Sequence, residues 1–257
     1  MDAVEIWAHR ELLFFLTWRD VKIRYKQTAI GIAWVVLQPV LTTAIFTVIF
    51  SKLAHFDTRD VPYPLFALTG LMIWLFVQTA VTQASNSFVS NTNLVTKVYF
   101  PRMIVPFAST LACVFDLLIS LPILALLMIY FRAHVTANLL LAPLFILLAI
   151  VQTLAFGTLF SALNVRFRDV KFALPFLLQV WMIASPIFYP TTLLTEKWKY
   201  VFAINPLTGI IEGFRSAVFG TPFEWGMIAI SSLSVLIIAI AAVFIFRNME
   251  DGFADQI

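Results

Sequence analysis

Six runs of apolar residues, separated by short polar stretches, divide the chain: about residues 31–50, 63–83, 103–131, 139–165, 172–189 and 225–246. The first holds 20 consecutive uncharged residues. At about 1.5 Å of rise each, that is enough to cross a hydrocarbon core of about 30 Å. Proline falls inside the first run (Pro39), the third (Pro106, Pro122) and the fifth (Pro175, Pro186), and each is a place for a kink. The pattern predicts an all-α integral membrane protein with six transmembrane helices.

Between the last two runs lies a stretch, residues 185–225, too broken to be a span and too apolar to be an ordinary loop. Pro186, Pro190, Pro206 and Pro222 interrupt any single helix. The apolar pieces between them are too short to cross a bilayer. They predict a re-entrant or interfacial hairpin, centred on Asn205 and Pro206, that dips in and returns to the same side. Glu212 and Arg215, three apart, share a helix face and can pair. The pair can also be a plain interfacial ion pair. Gly209 and Gly213 give a small-xxx-small spacing that permits close helix approach.

Before the first run, residues 1–30 read as an amphipathic interface segment, helical over 4–26. Trp7, Phe14, Trp18, Val21 and Tyr25 recur at helical spacing, with Arg19, Lys22 and Lys26 on another face. Aromatics opposite cations suit a helix in the headgroup plane, or one docked on a partner protein. Charges flank the only early apolar run, residues 12–16, so no signal-peptide core is formed.

Composition agrees with the hydropathy pattern. The chain has 257 residues, 61% hydrophobic and 12% charged, about half the charged fraction of soluble domains. Its single cysteine, Cys113, reads as a packing thiol. The net charge of +3 matters less than its placement. Eleven Lys and Arg fall on the side that holds Arg10, Arg19, Lys97, Arg102, Arg166 and Arg247, and six fall on the other, accounting for all seventeen. Cations concentrate in cytoplasmic loops, so both termini are expected inside and the hairpin outside.

Two loops on the cation-rich side hold candidate contact surfaces. In residues 90–102, Ser90, Asn91 and Thr92 are good caps and Pro101 is a stop, which predicts a short helix over 94–100. Its Leu94, Val95, Val98 and Tyr99, with Lys97 among them, must bury against the bundle or another protein. In residues 164–171, Arg166, Arg168 and Asp169 read as a stop-transfer anchor or as a docking surface for a charged partner. Asp116 is the only acid within a confident span. It is read as a helix-bonding group, with Ser120 one turn on as a partner, as a conduit group, or as a proton relay. The three histidines are scattered, so no metal site is expected.

Four motifs then resemble, in order, the membrane subunits of ABC-2 type exporters: VTKVYFPR at 95–102, LNVRFRDV at 163–170, SPIFYP at 185–190 and NPLTGIIEGFR at 205–215. Within that family the chain is most similar to the branch exporting lipid-linked polysaccharides such as O-antigen, teichoic acid and capsule. The resemblance implies a six-span transmembrane domain over 31–257 and a homodimer served by two copies of a separate ATP-binding subunit. It implies a coupling helix at 94–100, an external gate within 196–220 that holds Asn205, Pro206, Gly209, Glu212 and Arg215, and a conduit between protomers along the first and fifth spans. ATP and Mg are then bound by the partner subunit and no cofactor by this chain. Membrane lipids and a lipid-linked glycan are the remaining expected partners, with no nucleic acid among them, in the bacterial inner membrane.

The residues agree on two points. No Gly-x-x-x-x-Gly-Lys-Ser/Thr occurs, so the chain has no P-loop of its own. Six helices also make a bundle too narrow for a sugar chain, and a dimer would supply the width. Flat aromatic rings suit sugar C–H faces. Trp34, Phe46, Phe50, Trp181, Phe188 and Tyr189 are the candidates for such a lining, against the alternative that they face lipid or neighbouring helices. An ion-coupled carrier and a membrane enzyme acting on lipid-linked sugars stay open as other classes. The first would need intramembrane ionic sites. The second would need convergent acid–base groups, and none is apparent in the spans.

Overall fold

The computed structural model describes residues 3–26, 31, 33–53, 61–167, 169–250 and 252–253. Among these, every regular element is helical. Helices α1 (Ala3–Ala8) and α2 (Arg10–Lys26) replace the single N-terminal helix expected over 4–26, with a turn at His9 between them. Then come α3 (Ala33–Phe46), continued by a π-helical turn at Thr47–Leu53, α4 (Tyr63–Ser90), α5 (Thr92–Lys97) and α6 (Ile104–Tyr130). A short 3-10 turn, Ala137–Leu141, leads into α7 (Ala142–Arg166). Helices α8 (Val170–Ile183), α9 (Glu196–Ala203), α10 (Pro206–Phe219) and α11 (Trp225–Glu250) complete the chain.

Five helical stretches are long and apolar enough to cross a bilayer: Ala33–Phe50, Tyr63–Ser90, Ile104–Tyr130, Ala137–Arg166 and Trp225–Glu250. The fifth expected span is shorter than its apolar run. Helix α8 has 14 residues, about 21 Å of rise, and the chain then unwinds through Pro186 to Pro190. Proline disfavours helical backbone in the residue before it and removes an amide donor.

Helix α4 is the spine. Of its apolar stretch 78% is buried, against 22% for α11 and 11% for the first span. Small residues let its neighbours close in. A Cβ on Gly157 of α7 would lie 2.8 Å from the Ala84 Cβ of α4. The two glycines of the small-xxx-small spacing serve different helices. A Cβ on Gly209 would meet Ser231 of α11 at 2.6 Å, and one on Gly213 would meet the Phe145 ring of α7 at 2.0 Å. Helix α10 is thus wedged between α7 and α11. Its N-terminus is set by Asn205, whose side chain accepts from the Leu207 amide at 3.2 Å, and its end by Gly220 in the left-handed region (φ 72°). Hydroxyls inside spans bond back one turn, as Thr110 does to the Pro106 carbonyl (2.9 Å) and Thr153 to Ala149 (2.6 Å).

The bundle has two distinct ends. At one, α2 meets the end of α4 through Arg19 and Asn91 (2.7 Å), and Arg102 donates to the Glu250 carbonyl near the end of α11. At the other, Asn138 reaches the Thr221 carbonyl (3.3 Å) and Lys199 reaches Glu224 (3.3 Å). The N-terminal helices and the last turn of α11 therefore share an end with α5, and α9 and α10 lie at the opposite one.

Candidate functional site

At the terminal end, α5 covers Thr92–Lys97, one and a half turns, in place of the helix expected over 94–100. Val98 is already extended (φ −126°, ψ 132°), and Pro101 keeps the residue before it out of the helical region. Leu94, Val95 and Lys97 are therefore helical, while Val98 and Tyr99 lie in the extended segment beyond. Of the residues expected to bury, Val95 does so against the bundle, and Val98 and Tyr99 do not. Val95 and Phe100 are buried in a satellite core with Phe88, Phe246 and Phe253. Lys97 points outward, Val98 is half exposed and Tyr99 is 98% exposed. They border a 620 Å³ cleft that also takes in Glu5, Arg102, Arg247 and Glu250. Arg166 and Asp169 are exposed at the junction of α7 and α8 and do not line that cleft, and the Arg166 guanidinium lies 5.5 Å from the Phe167 ring. Arg168 lies outside the described residues.

Helix α2 is bound to the bundle by a polar ladder that the sequence reading missed. The Asp116 carboxylate pairs with Arg24 and accepts from the Tyr25 hydroxyl. Arg24 also donates to Cys113 Sγ (3.1 Å), and Ser109 donates to Asp20 (3.2 Å). Ser120 does bond Asp116, but through the backbone carbonyl (2.8 Å) and not the carboxylate. Burial, together with the hydrogen bond to Asp116, holds the Tyr25 phenol above its usual range. Of the three cations assigned to the membrane interface, Lys22 and Lys26 are exposed. Arg19 turns inward to Asp20 (2.8 Å) and Asn91 (2.7 Å). The signal was present: an acid within a span requires a partner, and the interface helix is rich in cations. Beside this ladder lies a 550 Å³ groove lined by Arg24, Tyr25, Trp34, Gln38, Phe76 and Asp116, among others.

At the hairpin end the centre is Arg215, 3% exposed. Its Nη1 donates to the Pro186 carbonyl (2.7 Å) and Glu212 (2.9 Å), and its Nη2 to the carbonyls of Ile187 (2.7 Å) and Phe66 (3.2 Å). Its guanidinium sits 3.6 Å from the Phe66 ring centroid. The i,i+3 pair read from sequence is formed, and the arginine also caps the carbonyls freed where α8 unwinds. Gly70 makes room for it, since a Cβ there would lie 2.8 Å from Nη2. Asn205 plays a parallel part, accepting from Trp181 Nε1 (2.9 Å) and donating to Ser185 Oγ (2.9 Å) and the Ala184 carbonyl (3.2 Å). Ser231 accepts from the Gly209 amide (2.9 Å) and donates to the Ala203 carbonyl (2.8 Å), and Tyr63 donates to the Phe188 carbonyl (3.0 Å). Pro206, Gly209 and Arg215 are buried, and Glu212 is partly exposed.

The six candidate lining aromatics divide into groups. Phe46, Phe50 and Phe188 stack together, with centroids 3.7 Å apart for Phe46–Phe188 and 5.6 Å for Phe46–Phe50. Phe188 is buried beneath the other two, so it supports that surface and does not form it. Trp181 packs on Phe156 (4.5 Å) and Trp74 (6.0 Å). Trp34 is 54% exposed, and Tyr189 is partly exposed and bonded to the Ile183 carbonyl (3.1 Å).

The sequence model of the family described as "ABC-2 type transporter" matches residues 11–219, most of the chain. The chain belongs to the ABC-2 type transporter family. It is similar to an O-antigen export system permease protein RfbA of Myxococcus xanthus, 26% identical over 98% of both chains. An RfbA of Klebsiella pneumoniae is 26% identical over 95% of this chain and 94% of its own. A polysialic acid transport protein, KpsM, of Escherichia coli is 24% identical over 91% and 92%. The spine, the unwound α8 and the α9–α10 hairpin are therefore features of an ABC-2 type transporter chain.

Proposed function

We propose that this chain is the membrane permease subunit of an ATP-driven exporter, moving a lipid-linked, O-antigen-like polysaccharide from the cytoplasmic to the outer side of the bacterial inner membrane. The observation that carries this reading is the likeness, over more than nine-tenths of each chain, to proteins named for O-antigen export and for polysialic acid transport. In this reading residues 1–30 form the interface segment and 31–257 the transmembrane domain. The terminal end is cytoplasmic, as the cation count favours.

The chain hydrolyses no ATP itself, and two copies of an ATP-binding subunit do so. Leu94, Val95, Lys97, Val98 and Tyr99, together with Arg166, Arg168 and Asp169, receive that motion. Val95 and Phe100 anchor the loop in the satellite core, so a push on Tyr99 is transmitted to α4 and α11 through packed rings. Two protomers meet along α3 and α8, whose outward faces are apolar and open, as at Trp34, Leu41, Phe172 and Phe176. The glycan threads between them past Trp34, Phe46, Phe50 and Tyr189, with Trp181 and Phe188 behind. The α9–α10 hairpin is the external gate, in which Asn205, Glu212 and Arg215 hold the closed form. An ion-coupled carrier would rest on Asp116, whose carboxylate is already occupied by Arg24 and Tyr25.

The test is export in cells. Deleting the gene should leave the lipid-linked polymer in the cytoplasmic leaflet, and restoring it should bring the polymer to the surface only when the partner's P-loop lysine is intact. Surface polymer that persists with that lysine replaced would refute the proposal.

A further inference from the structure

A third cavity lies beside the arginine clamp at the hairpin end. It has a volume of 200 Å³, and its walls come from the start of α4, the segment after α8, one face of α10 and the first turn of α11. That is room for a handful of waters, about 30 Å³ each in the liquid, and far too little for a lipid chain. The wall chemistry is mixed. Glu212 and Glu224 supply carboxylate acceptors, Thr191, Thr192 and Ser216 supply hydroxyls, and Phe219 supplies a flat apolar face. Arg215 forms part of the same wall. Its four Nη bonds are made, but its Nε is fully buried and has no hydrogen-bond partner among the described residues. A buried donor without an acceptor is costly, and it leaves the clamp one acceptor short at the cavity wall.

The charges cancel locally. Arg215 pairs with Glu212 (2.9 Å), and Glu224 is matched by Lys199 (3.3 Å). A ligand bearing its own carboxylate or phosphate would face two carboxylates and meet no uncompensated cation. A ligand with several hydroxyls and an apolar C–H face meets acceptors, donors and a ring. We infer that this cavity is a subsite for a single neutral pyranose ring, at the mouth through which the proposed exporter releases its glycan. The inference rests on the export reading and adds a preference for uncharged sugar at this point of the path. It places the subsite behind the hairpin, distinct from the aromatic surface between α3 and α8. A sugar bound there bridges Glu212 and Arg215 of α10 to Glu224 before α11, so occupancy biases the position of the hairpin.

The experiment uses the protein with its ATP-binding partner in lipid nanodiscs, probed by saturation-transfer NMR with methyl α-mannoside, methyl β-galactoside and methyl β-glucuronide. The neutral glycosides should show transfer, and the glucuronide about tenfold less. Thr192 is exposed at the rim, so Thr192→Trp should fill the mouth without disturbing the core and abolish the neutral signal, with partner capture and melting temperature unchanged. Glu224→Gln, a second exposed position, should weaken the neutral signal several-fold and narrow the gap to the glucuronide. Absence of transfer to the native protein, a signal that survives Thr192→Trp, or equal transfer to the glucuronide would each overturn the inference. Any of these with polymer export intact leaves the export reading standing. Loss of ATPase-dependent export in the native protein is the separate result that removes the export reading.

Discussion

At the hairpin end, Arg215 is 3% exposed and meets four acceptors from three segments of chain. At the terminal end, Tyr99 is 98% exposed, with Lys97 outward beside it. Both lie next to helix breaks made by proline, Pro186 in one case and Pro101 in the other. The difference is where the freed polar groups go. Behind α8 they are taken up inside the protomer, so the break is part of the architecture. Around α5, Val95 and Phe100 return to the core, and Lys97, Val98 and Tyr99 are presented outward. A break satisfied from within builds the fold, and one left open offers a contact surface.

Four substitutions sharpen that contrast, and the first should have the largest effect. Arg215→Met leaves the Pro186 and Ile187 carbonyls and Glu212 without their donor and should destabilise the protein by about 3–5 kcal/mol, read as a fall in melting temperature in detergent. Arg215→Lys should recover only part of it, because a point charge cannot span the fork. Next, Asp116→Asn should cost about 1.5–3 kcal/mol by leaving Arg24 unmatched and freeing α2. Adding Arg24→Gln should return part of that loss, and faster proteolysis within residues 10–26 of the single variant would report the release. Gly213→Ala places a methyl on the Phe145 ring and should cost about 1–3 kcal/mol. Phe145→Leu in the same chain should relieve it. Tyr99→Ala should shift stability by less than about 0.5 kcal/mol, although it removes the most exposed aromatic of the terminal end. A large loss of stability there would erase the distinction between the two ends.

Much of this architecture is legible in the order of residues. Hydropathy located the spans, because a bilayer demands long apolar runs. The Glu212–Arg215 pair followed from helical spacing, and Asn205-Pro206 marked the start of α10. What spacing cannot supply is the partner across the fold. Asp116 signalled the need for a cation, but Arg24 lies 92 residues away and is brought near only when α2 packs on α6. Likewise the role of Arg215 depends on carbonyls that exist as free acceptors only because α8 unwinds. Leu94, Val95, Val98 and Tyr99 look like one apolar helix by composition, yet the proline rule applied at Pro101 divides them into a helical and an extended part. Aromatic content marked Phe188 and Trp181 as candidates for a lining, but whether a ring shows its face is decided by packing, which buries Phe188 under Phe46.

The most direct test of the contrast joins two readings on one variant, Lys97→Glu with Tyr99→Ala. The tagged protein is extracted in mild detergent, its melting temperature is measured, and co-purified ATP-binding subunit is quantified against the native chain. The account predicts an unchanged melting temperature with capture reduced at least about tenfold, or about 1.4 kcal/mol of docking energy. Full capture of the ATP-binding subunit by the variant would contradict it.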